Sequence, residues 1–152
     1  MVLIHRGRTS GITRRTPVNY CRMGKSVYCT AGFGRNTDWY LNILSNPKVE
    51  VWLPDSWWSG IAEDISAVEL RDYILRHVLI ASGIAAPMFG VDPRTMSPEE
   101  FTDTTREYRL VRIRLEDPLS GAGGPGDLSW VWVPIAAVSS LLYLLFLLQK
   151  KR

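Results

Sequence analysis

The chain has 152 residues, which is typical of one domain, and 46% of them are hydrophobic, enough for a real core. A formal net charge of +3 at pH 7 is too small to indicate a protein that binds nucleic acid through bulk charge. Two cysteines and no visible secretory signal peptide argue against a disulfide-stapled secreted domain.

The basic residues are concentrated near the N-terminus. The first 37 residues contain seven lysines or arginines and no acid, and the first carboxylate belongs to Asp38. The seven bases are Arg6, Arg8, Arg14, Arg15, Arg22, Lys25 and Arg35. Because they stand among glycine-containing turns, guanidinium and backbone N–H groups can surround one ligand. This arrangement favours a multiply charged anion such as a phosphate or a polycarboxylate.

The first part of the chain has the pattern of antiparallel strands with short connections. We predict strands at residues 1–4, 13–23 and 26–31, with a turn at residues 8–11. Pro17 lies inside the second strand and cannot donate a ladder hydrogen bond. That strand should therefore lie near a sheet edge or be bulged at Pro17.

The two cysteines are predicted to be free thiols. A two-residue turn at Gly24 and Lys25 places Cys21 opposite Tyr28 and pairs Cys29 with Tyr20. In this register the two thiols point to opposite faces of the sheet, so a disulfide between them is not expected.

A short helix and a hairpin come next. Residues 38–45 read as a helix that Thr37 or Asp38 can cap and that ends at Asn46. Strict alternation at residues 48–53 predicts a half-buried strand, and residues 56–65 return antiparallel to it.

The last third of the domain is predicted to hold helices and one more strand. Ser66 and Glu69 have the spacing of a capping box, which predicts a helix to about residue 82 with Leu70, Ile74 and Val78 buried. Residues 84–90 form a short apolar turn whose Met88 and Phe89 we expect in the core. A second helix start lies at residues 97–100, and residues 108–115 return to strand.

The predicted fold class is mainly β, with about six strands and two or three helices. The strands are mostly sequential and antiparallel, which fits a small β-barrel with peripheral helices. We assign residues 1–117 to this domain and residues 118–127, rich in glycine and proline, to a linker.

An apolar segment follows the linker. Residues 128–148 carry no charge over 21 positions, and at ~1.5 Å per residue they cross ~30 Å of hydrocarbon. Trp130 and Trp132 lie at one end, and a basic tail, residues 149–152, follows the other. We predict a C-terminal transmembrane helix; the alternatives are a buried core helix and a sorting signal that is later removed.

Two motifs resemble those of the deazaflavin-dependent nitroreductase family. HRGRTSG at residues 5–11, followed by RRTP at residues 14–17, resembles the opening motif of that family. FGRNTDWYLN at residues 33–42 resembles the second motif, and the order and spacing of the two agree. The resemblance covers about residues 1–116. It implies a split β-barrel related to flavin-reductase barrels and a bound 8-hydroxy-5-deazaflavin, coenzyme F420.

The resemblance also implies which residues hold the cofactor. Coenzyme F420 carries a phosphate and an oligoglutamate tail at one end and a flat ring at the other. Arg8 and Arg14, with Arg15 or Arg35, would bind the anionic end, and backbone N–H groups of residues 9–11 would add to that cradle. The implied cofactor-binding residues are Arg8, Thr9, Ser10, Gly11, Arg14, Arg15, Thr16, Pro17, Gly32, Phe33, Gly34, Asp38, Trp39, Tyr40 and Asn42.

Some positions of the family pattern are absent or unassigned. Thr9 stands where family members often carry lysine, and Arg15 is a candidate replacement for that cation. No catalytic residue is assigned, and Tyr108 is the nearest candidate for a tyrosine facing the acceptor. His5 and His77 do not cluster with other ligand residues, so no metal site is expected.

The resulting prediction is an enzyme that transfers a hydride from reduced deazaflavin to a quinone, an enone or a nitro compound. One alternative keeps the barrel but binds FMN. Another is a non-enzymatic basic module for anionic lipid or nucleic acid, although the favoured interpretation involves no nucleic acid. A homodimer is expected by analogy with barrels of this type.

The predicted location is a membrane, with a single C-terminal span. The basic tail favours placing the domain outside the cytoplasm. Free thiols, an intracellular cofactor and the missing signal peptide favour a cytoplasmic domain, and we give these more weight.

Overall fold

The structure is a computed structural model that describes residues 1–125. The predicted membrane-spanning segment, residues 128–148, lies outside the described residues, as do the basic tail and the last two residues of the predicted linker. In residues 1–125, no helix has both the length and the apolar character needed to cross a membrane. All the strands and helices described below belong to one compact unit, Met1–Leu119.

The compact unit contains seven strands and four short helices. The strands are β1 (Val2–Arg6), β2 (Thr13–Pro17), β3 (Tyr20–Met23), β4 (Ser26–Ala31), β5 (Lys48–Leu53), β6 (Ser56–Asp64) and β7 (Arg109–Pro118). The helices are α1 (Asp38–Ser45), α2 (Arg71–Ala81), α3 (Ala85–Met88) and α4 (Pro98–Thr104).

The seven strands form one antiparallel sheet in the order β2-β1-β5-β6-β7-β4-β3. The two edge strands, β2 and β3, are consecutive in the chain and only Val18 and Asn19 separate them. A flat sheet of seven strands is ~29 Å wide at ~4.8 Å per strand, which two residues cannot span. The sheet therefore curls until its edges approach each other. The mainly β prediction is confirmed, and the architecture is a half-barrel sheet with a few helices.

The prediction of one strand over residues 13–23 is wrong, because the chain changes sheet edge after Pro17. Pro17 lies opposite Val2, and its missing N–H interrupts no bond to β1, because Val18 still exchanges two bonds with Met1: the Val18 N–H donates to the Met1 carbonyl at 3.0 Å, and the Val18 carbonyl accepts from the Met1 amino group at 3.1 Å. The predicted edge position of Pro17 is confirmed.

The predicted hairpin register is confirmed. Tyr20 pairs with Cys29 and Cys21 pairs with Tyr28 across the β3–β4 turn, and both cysteines are free. Cys29 is fully buried, whereas Cys21 is half-buried.

The predicted capping box at Ser66 is wrong, because another partner occupies the hydroxyl. Ser66 Oγ donates to Asp64 Oδ1 and accepts a bond from the backbone N–H of Leu110 at 2.9 Å. The helix α2 instead begins at Arg71. Its buried residues are Leu75, Val78 and Leu79, and Leu70 is largely exposed.

The core consists of two clusters of buried side chains. One fills the curled sheet against α1 and includes Leu3, Val27, Val51 and Ile113. The other lies where α2 and α4 cover the sheet and includes Leu75, Val78, Phe101 and Leu110. Neither cluster covers the β1–β2 turn or the outer face of α1, so both remain accessible to solvent.

Candidate functional site

The turn between β1 and β2 presents a row of polar groups beside α1. Within it the N–H of Gly7 bonds the Ile12 carbonyl at 2.9 Å, and the N–H of Gly11 bonds the Gly7 carbonyl at 2.8 Å. Gly11 has a φ of 66°, in the left-handed region that favours glycine. These bonds fold the chain tightly, so that Arg8, Thr9 and Ser10 stand at its outer side.

The helix α1 holds this turn through Arg8. The backbone N–H of Arg8 donates to Asn42 Oδ1 at 3.0 Å, and Arg8 Nη1 donates to the same oxygen at 3.1 Å. Arg8 Nη1 also pairs with Asp38 Oδ1 at 3.0 Å. The Asp38 carboxylate is largely exposed, so this ion pair contributes at most ~1 kcal/mol. An anionic ligand can therefore compete for the Arg8 guanidinium at small cost.

A polar cavity of about 600 Å³ lies between the turn, β2 and the start of α1. Its lining combines three arginines with hydroxyl and amide groups. The lining residues are His5, Gly7, Arg8, Thr9, Ser10, Arg14, Arg15, Thr16, Thr37, Asp38, Trp39 and Asn42.

Two of the three arginines in this cavity have no acidic partner among residues 1–125. The ion pairs found there involve Arg8, Arg71, Arg106, Arg112 and Arg114. Arg15 instead stacks over the Trp52 ring, with 5.2 Å between its guanidinium carbon and the ring centroid. The cavity thus holds uncompensated positive charge, which fits the phosphate and polycarboxylate end of a deazaflavin cofactor.

A buried histidine, for which the sequence predicts no role, contributes to the wall of the polar cavity. His5 is 3% exposed, and its Nε2 lies 3.0 Å from Thr16 Oγ1. Its Nδ1 lies 3.3 Å from Asn42 Nδ2. Burial lowers the pKa of His5; a hydrogen bond with the Arg6 backbone raises it in part, and the nearby Arg14 charge lowers it again. The sequence feature that indicates burial of His5 is its position in β1, two residues after Leu3 and therefore on the same face of the strand.

A second cavity, of about 410 Å³, opens on the other side of Trp39 and is mainly apolar. Pro17, Gly32, Phe33, Leu79, Ala86, Phe89 and Tyr108 are among its lining residues. Thr37 and Trp39 line both cavities. One molecule with an anionic end and a flat ring could therefore extend past Trp39 from the polar cavity into the apolar one.

Tyr108 and Gly32 face each other in the wall of the apolar cavity. A Cβ at Gly32 would lie 3.5 Å from the Tyr108 ring, an ordinary contact distance, so the missing side chain leaves space above that ring. Burial raises the pKa of Tyr108, so its hydroxyl keeps its proton at neutral pH.

The rim of the apolar cavity is exposed, contrary to the expectation that Met88 and Phe89 belong to the core. Met88 is 77% exposed and Phe89 68% exposed. Phe89 contacts Phe33 edge to face, with 5.8 Å between ring centroids. The helix α3 has only four residues, and its buried side chain is Ala86, so the larger side chains point outward.

The structure brings most of the predicted site residues together. The polar cavity collects Arg8, Thr9, Ser10, Arg14, Arg15, Thr16, Asp38, Trp39 and Asn42. The apolar cavity collects Pro17, Gly32, Phe33 and again Trp39. Gly11, Gly34 and Tyr40 line neither cavity.

Tyr40 faces away from both cavities and into the core. It is 4% exposed, and its hydroxyl donates to Asp64 Oδ2 at 2.8 Å. Burial and this bond raise the pKa of Tyr40 to about 12. Gly11 and Gly34 both have positive φ and shape the turns that carry their neighbours.

Neither a metal site nor a reactive cysteine is found in the described part of the chain. No three His, Cys, Asp or Glu side chains of residues 1–125 are placed to hold one metal ion. Burial raises the pKa of Cys21 to about 11 and that of Cys29 to about 12, so both stay protonated.

The curled sheet and its paired cavities define a split-barrel protein that can hold an anionic redox cofactor. The family model of the F420H(2)-dependent quinone reductases matches residues 1–89, and the chain belongs to this family. It is therefore an F420-dependent oxidoreductase, and its cofactor is coenzyme F420, as the motifs predicted. No curated protein matches the chain.

Solved structures support the same fold. An F420-H2 dependent reductase, FDR-A, has a TM-score of 0.51 and 22% identity over 76% of this chain and 91% of its own. An F420 reductase has a TM-score of 0.51 and 18% identity over 78% of this chain and 86% of its own. A provisionally assigned pyridoxamine 5′-phosphate oxidase from Listeria innocua has a TM-score of 0.56 and 14% identity, covering 78% and 84%.

Proposed function

We propose that this enzyme transfers a hydride from reduced F420 to an organic acceptor such as a quinone, an enone or a nitro compound, while tethered to a membrane. The observation that carries the proposal is the pair of cavities that meet at Thr37 and Trp39, one basic and one apolar. A cofactor with one anionic end and one ring end requires this division.

In this proposal the polar cavity binds the anionic end of the cofactor. Arg14 and Arg15 supply charge that no described acid neutralises, and Arg8 can exchange its exposed Asp38 partner for the ligand. Thr9, Ser10 and Thr16 add hydroxyl groups at the same wall. Arg15 would supply the cation that Thr9 lacks.

The apolar cavity would take the ring end of the cofactor and the acceptor beside it. The bound cofactor supplies the hydride, and the chain supplies orientation and exclusion of water. Reduction of a quinone to its hydroquinone consumes one hydride and, in net terms, one proton. The half-buried Tyr108 hydroxyl holds a proton in the wall of this cavity, where it would donate a hydrogen bond to the acceptor oxygen.

Residues 128–148 would tether the domain to the membrane, with the domain on the cytoplasmic side. Their length and lack of charge support the span, and the free thiols support the orientation. A tether of this kind suits a lipid-soluble acceptor. Resistance of the full chain to alkaline carbonate extraction tests the span, and protease access to the domain in sealed vesicles tests the side.

The experiment that tests the proposed site is a titration of F420 into the full chain, with FMN alongside. The Arg8→Ala/Arg14→Ala double variant should lose at least tenfold in F420 affinity, since each arginine makes charge-assisted hydrogen bonds. The matched control is Arg22→Ala/Lys25→Ala, which removes the same charge at two residues of the β3–β4 hairpin, neither of which lines the polar or the apolar cavity.

The control should bind F420 with the affinity of the unchanged chain. Equal losses in both double variants would show only long-range attraction, and no loss in either would place the anionic end elsewhere. Tight FMN binding that competes with F420 would favour the alternative cofactor. A hydride-transfer assay with a quinone, an enone and a nitroaromatic then ranks the acceptors.

A further inference from the structure

A chain of hydrogen bonds connects Arg8 to Thr16 through two buried side chains. Asn42 bonds Arg8 on one side and His5 on the other, and His5 bonds Thr16 Oγ1. Asn42 is 6% exposed and His5 is 3% exposed, so water does not compete freely for these groups. His5 is a buried titratable group for which the proposed reaction has no other use.

The two Arg8 donors determine which way the Asn42 amide faces. A backbone N–H and a guanidinium N–H both point at one Asn42 atom, at 3.0 and 3.1 Å, and only the oxygen can accept them. The amide nitrogen therefore faces His5 Nδ1 at 3.3 Å as a donor. His5 Nδ1 must then be the unprotonated, accepting nitrogen.

The orientation of Asn42 in turn determines the role of the Thr16 hydroxyl. A neutral imidazole with an accepting Nδ1 carries its proton on Nε2, so Nε2–H donates to Thr16 Oγ1 at 3.0 Å. The Thr16 oxygen is thus an acceptor toward His5, and its own hydrogen is free to point elsewhere. Thr16 lines the polar cavity, and among residues 1–125 His5 is its side-chain hydrogen-bond partner.

We propose that His5 is a positioning residue that, in its neutral form, commits the Thr16 hydroxyl to donate a hydrogen bond to the anionic end of the cofactor. The proposal rests on the proposed placement of that end in the polar cavity. The bond from His5 polarises the hydroxyl and strengthens it as a donor. A protonated His5 would carry a second N–H, on Nδ1, that faces the N–H donors of the Asn42 amide nitrogen. Two donors would then face each other with no acceptor between them.

Protonation of His5 would therefore disturb both ends of the network. To accept the new N–H, Asn42 must turn its oxygen toward His5, and it then loses both bonds to Arg8. F420 affinity should fall as His5 becomes charged, because the Arg8 turn loosens. The protonation state of the His5 ring is thus coupled to two groups of the cavity, to Arg8 through the Asn42 amide and to Thr16 directly.

Several charged residues line a cavity together with His5, and of their charges that of Arg14 shifts the pKa of His5. They are Arg6 on β1, Arg8 in the turn, Arg14 and Arg15 on β2, Lys48 and Glu50 on β5, and Asp38 on α1. The cations outnumber the carboxylates, and Glu50 already accepts a bond from Trp57 Nε1 at 3.0 Å. Burial lowers the pKa of His5, a hydrogen bond with the Arg6 backbone raises it, and the Arg14 charge lowers it again; the net effect is a lowered pKa, so the neutral ring predominates at neutral pH.

The test compares F420 affinity of the full chain and three variants between pH 5 and pH 8. Thr16→Val keeps the shape but removes the hydroxyl, and should weaken binding about tenfold at pH 7.5. Thr16→Ser should stay within about twofold of the unchanged chain. His5→Gln keeps an amide donor and does not titrate. Its F420 affinity should therefore fall less than that of the unchanged chain as the pH is lowered from 8 to 5.

Titration of the cofactor itself affects the affinity of all four proteins equally. It therefore cancels when the affinity of each variant is divided by that of the unchanged chain at the same pH. A ring-nitrogen correlation spectrum of the unchanged chain should show His5 protonated on Nε2 at pH 7.5, a readout that packing alone would not predict. Equal binding by Thr16→Val and the unchanged chain would overturn the proposal, as would one pH profile shared by His5→Gln and the unchanged chain.

Failure of the site and failure of this inference are distinguishable. If the Arg8→Ala/Arg14→Ala variant binds F420 normally, the anionic end lies elsewhere and the proposed site itself is wrong. If that variant loses binding while Thr16→Val keeps it, the site stands and the His5 network has no part in it.

Discussion

Gly60 offers a quantitative test of how β6 and β7 pack. It lies opposite Leu115, next to an irregularity in the pairing between Trp58 and Gly60. A Cβ at Gly60 would lie 2.6 Å from the Arg114 carbonyl oxygen and 2.9 Å from Ile113 Cγ2. Neither atom can retreat easily, because the first is backbone in a ladder and the second belongs to a fully buried side chain.

Gly60→Ala should therefore lower the free energy of unfolding by about 1–3 kcal/mol, the usual cost of overpacking a filled site. At about 1.4 kcal/mol per factor of ten, the unfolded fraction should rise about 5- to 150-fold. Urea unfolding of the full chain, followed by tryptophan fluorescence, measures the change, and the slope with urea should stay the same.

Gly32→Ala is the matched control, since its new Cβ would make an ordinary 3.5 Å contact with the Tyr108 ring. It should change the free energy of unfolding by less than about 1 kcal/mol. If Gly60→Ala were as stable as the unchanged chain, β7 would be able to move away without cost, and the reasoning from close packing would be refuted.

Two further changes test buried polar contacts. Tyr40→Phe removes the bond to Asp64 and should cost about 1.5–3 kcal/mol in urea unfolding at pH 7. Burial raises the pKa of Asp64, but bonds from Ser66 and Tyr40 outweigh it and lower that pKa, so the carboxylate stabilises the fold above about pH 4 and loses this effect in acid. The free energy of unfolding of Tyr40→Phe should accordingly fall less between pH 5 and pH 2 than that of the unchanged chain. An equal fall in both proteins would contradict this. Arg76→Met removes bonds to two carbonyls of the loop before α4 and a guanidinium contact 4.3 Å from the Phe101 ring centroid. It should lower the free energy of unfolding by about 2–4 kcal/mol in the same assay. A loss below about 1 kcal/mol would show that the loop keeps its conformation without Arg76.

Local patterns were sufficient wherever neighbours in the chain decide the structure. The helix α1 and the strand β5 have the predicted bounds, Asp38–Ser45 and Lys48–Leu53. The alternation of β5 and the stop before Pro47 act within a few residues. The Cys21–Tyr28 register followed from the same kind of local rule, a two-residue turn. The predicted cap of α1 is wrong, because the hydroxyl of Thr37, at the N-cap position, donates to the Gly34 carbonyl at 2.8 Å and makes no capping bond.

The two helix starts show where local rules stop. Ser97 caps α4 as predicted, with its hydroxyl accepting from the Glu100 N–H at 3.2 Å. Ser66 has the same spacing to Glu69, but Asp64 and the distant Leu110 take its hydroxyl. A pattern of four residues carries no information about a strand that arrives 44 residues later.

The motifs themselves identified the family, the cofactor and most residues of the polar cavity, because those residues lie in two short segments. Only the tertiary structure brought residues 17–19 and 30–33, part of the segment 79–89, and Tyr108 together around the apolar cavity. It also buried His5 against Asn42, 37 positions away, and turned Tyr40 into the core. The curl of the sheet decides these placements, since it brings together segments whose local sequences do not depend on one another.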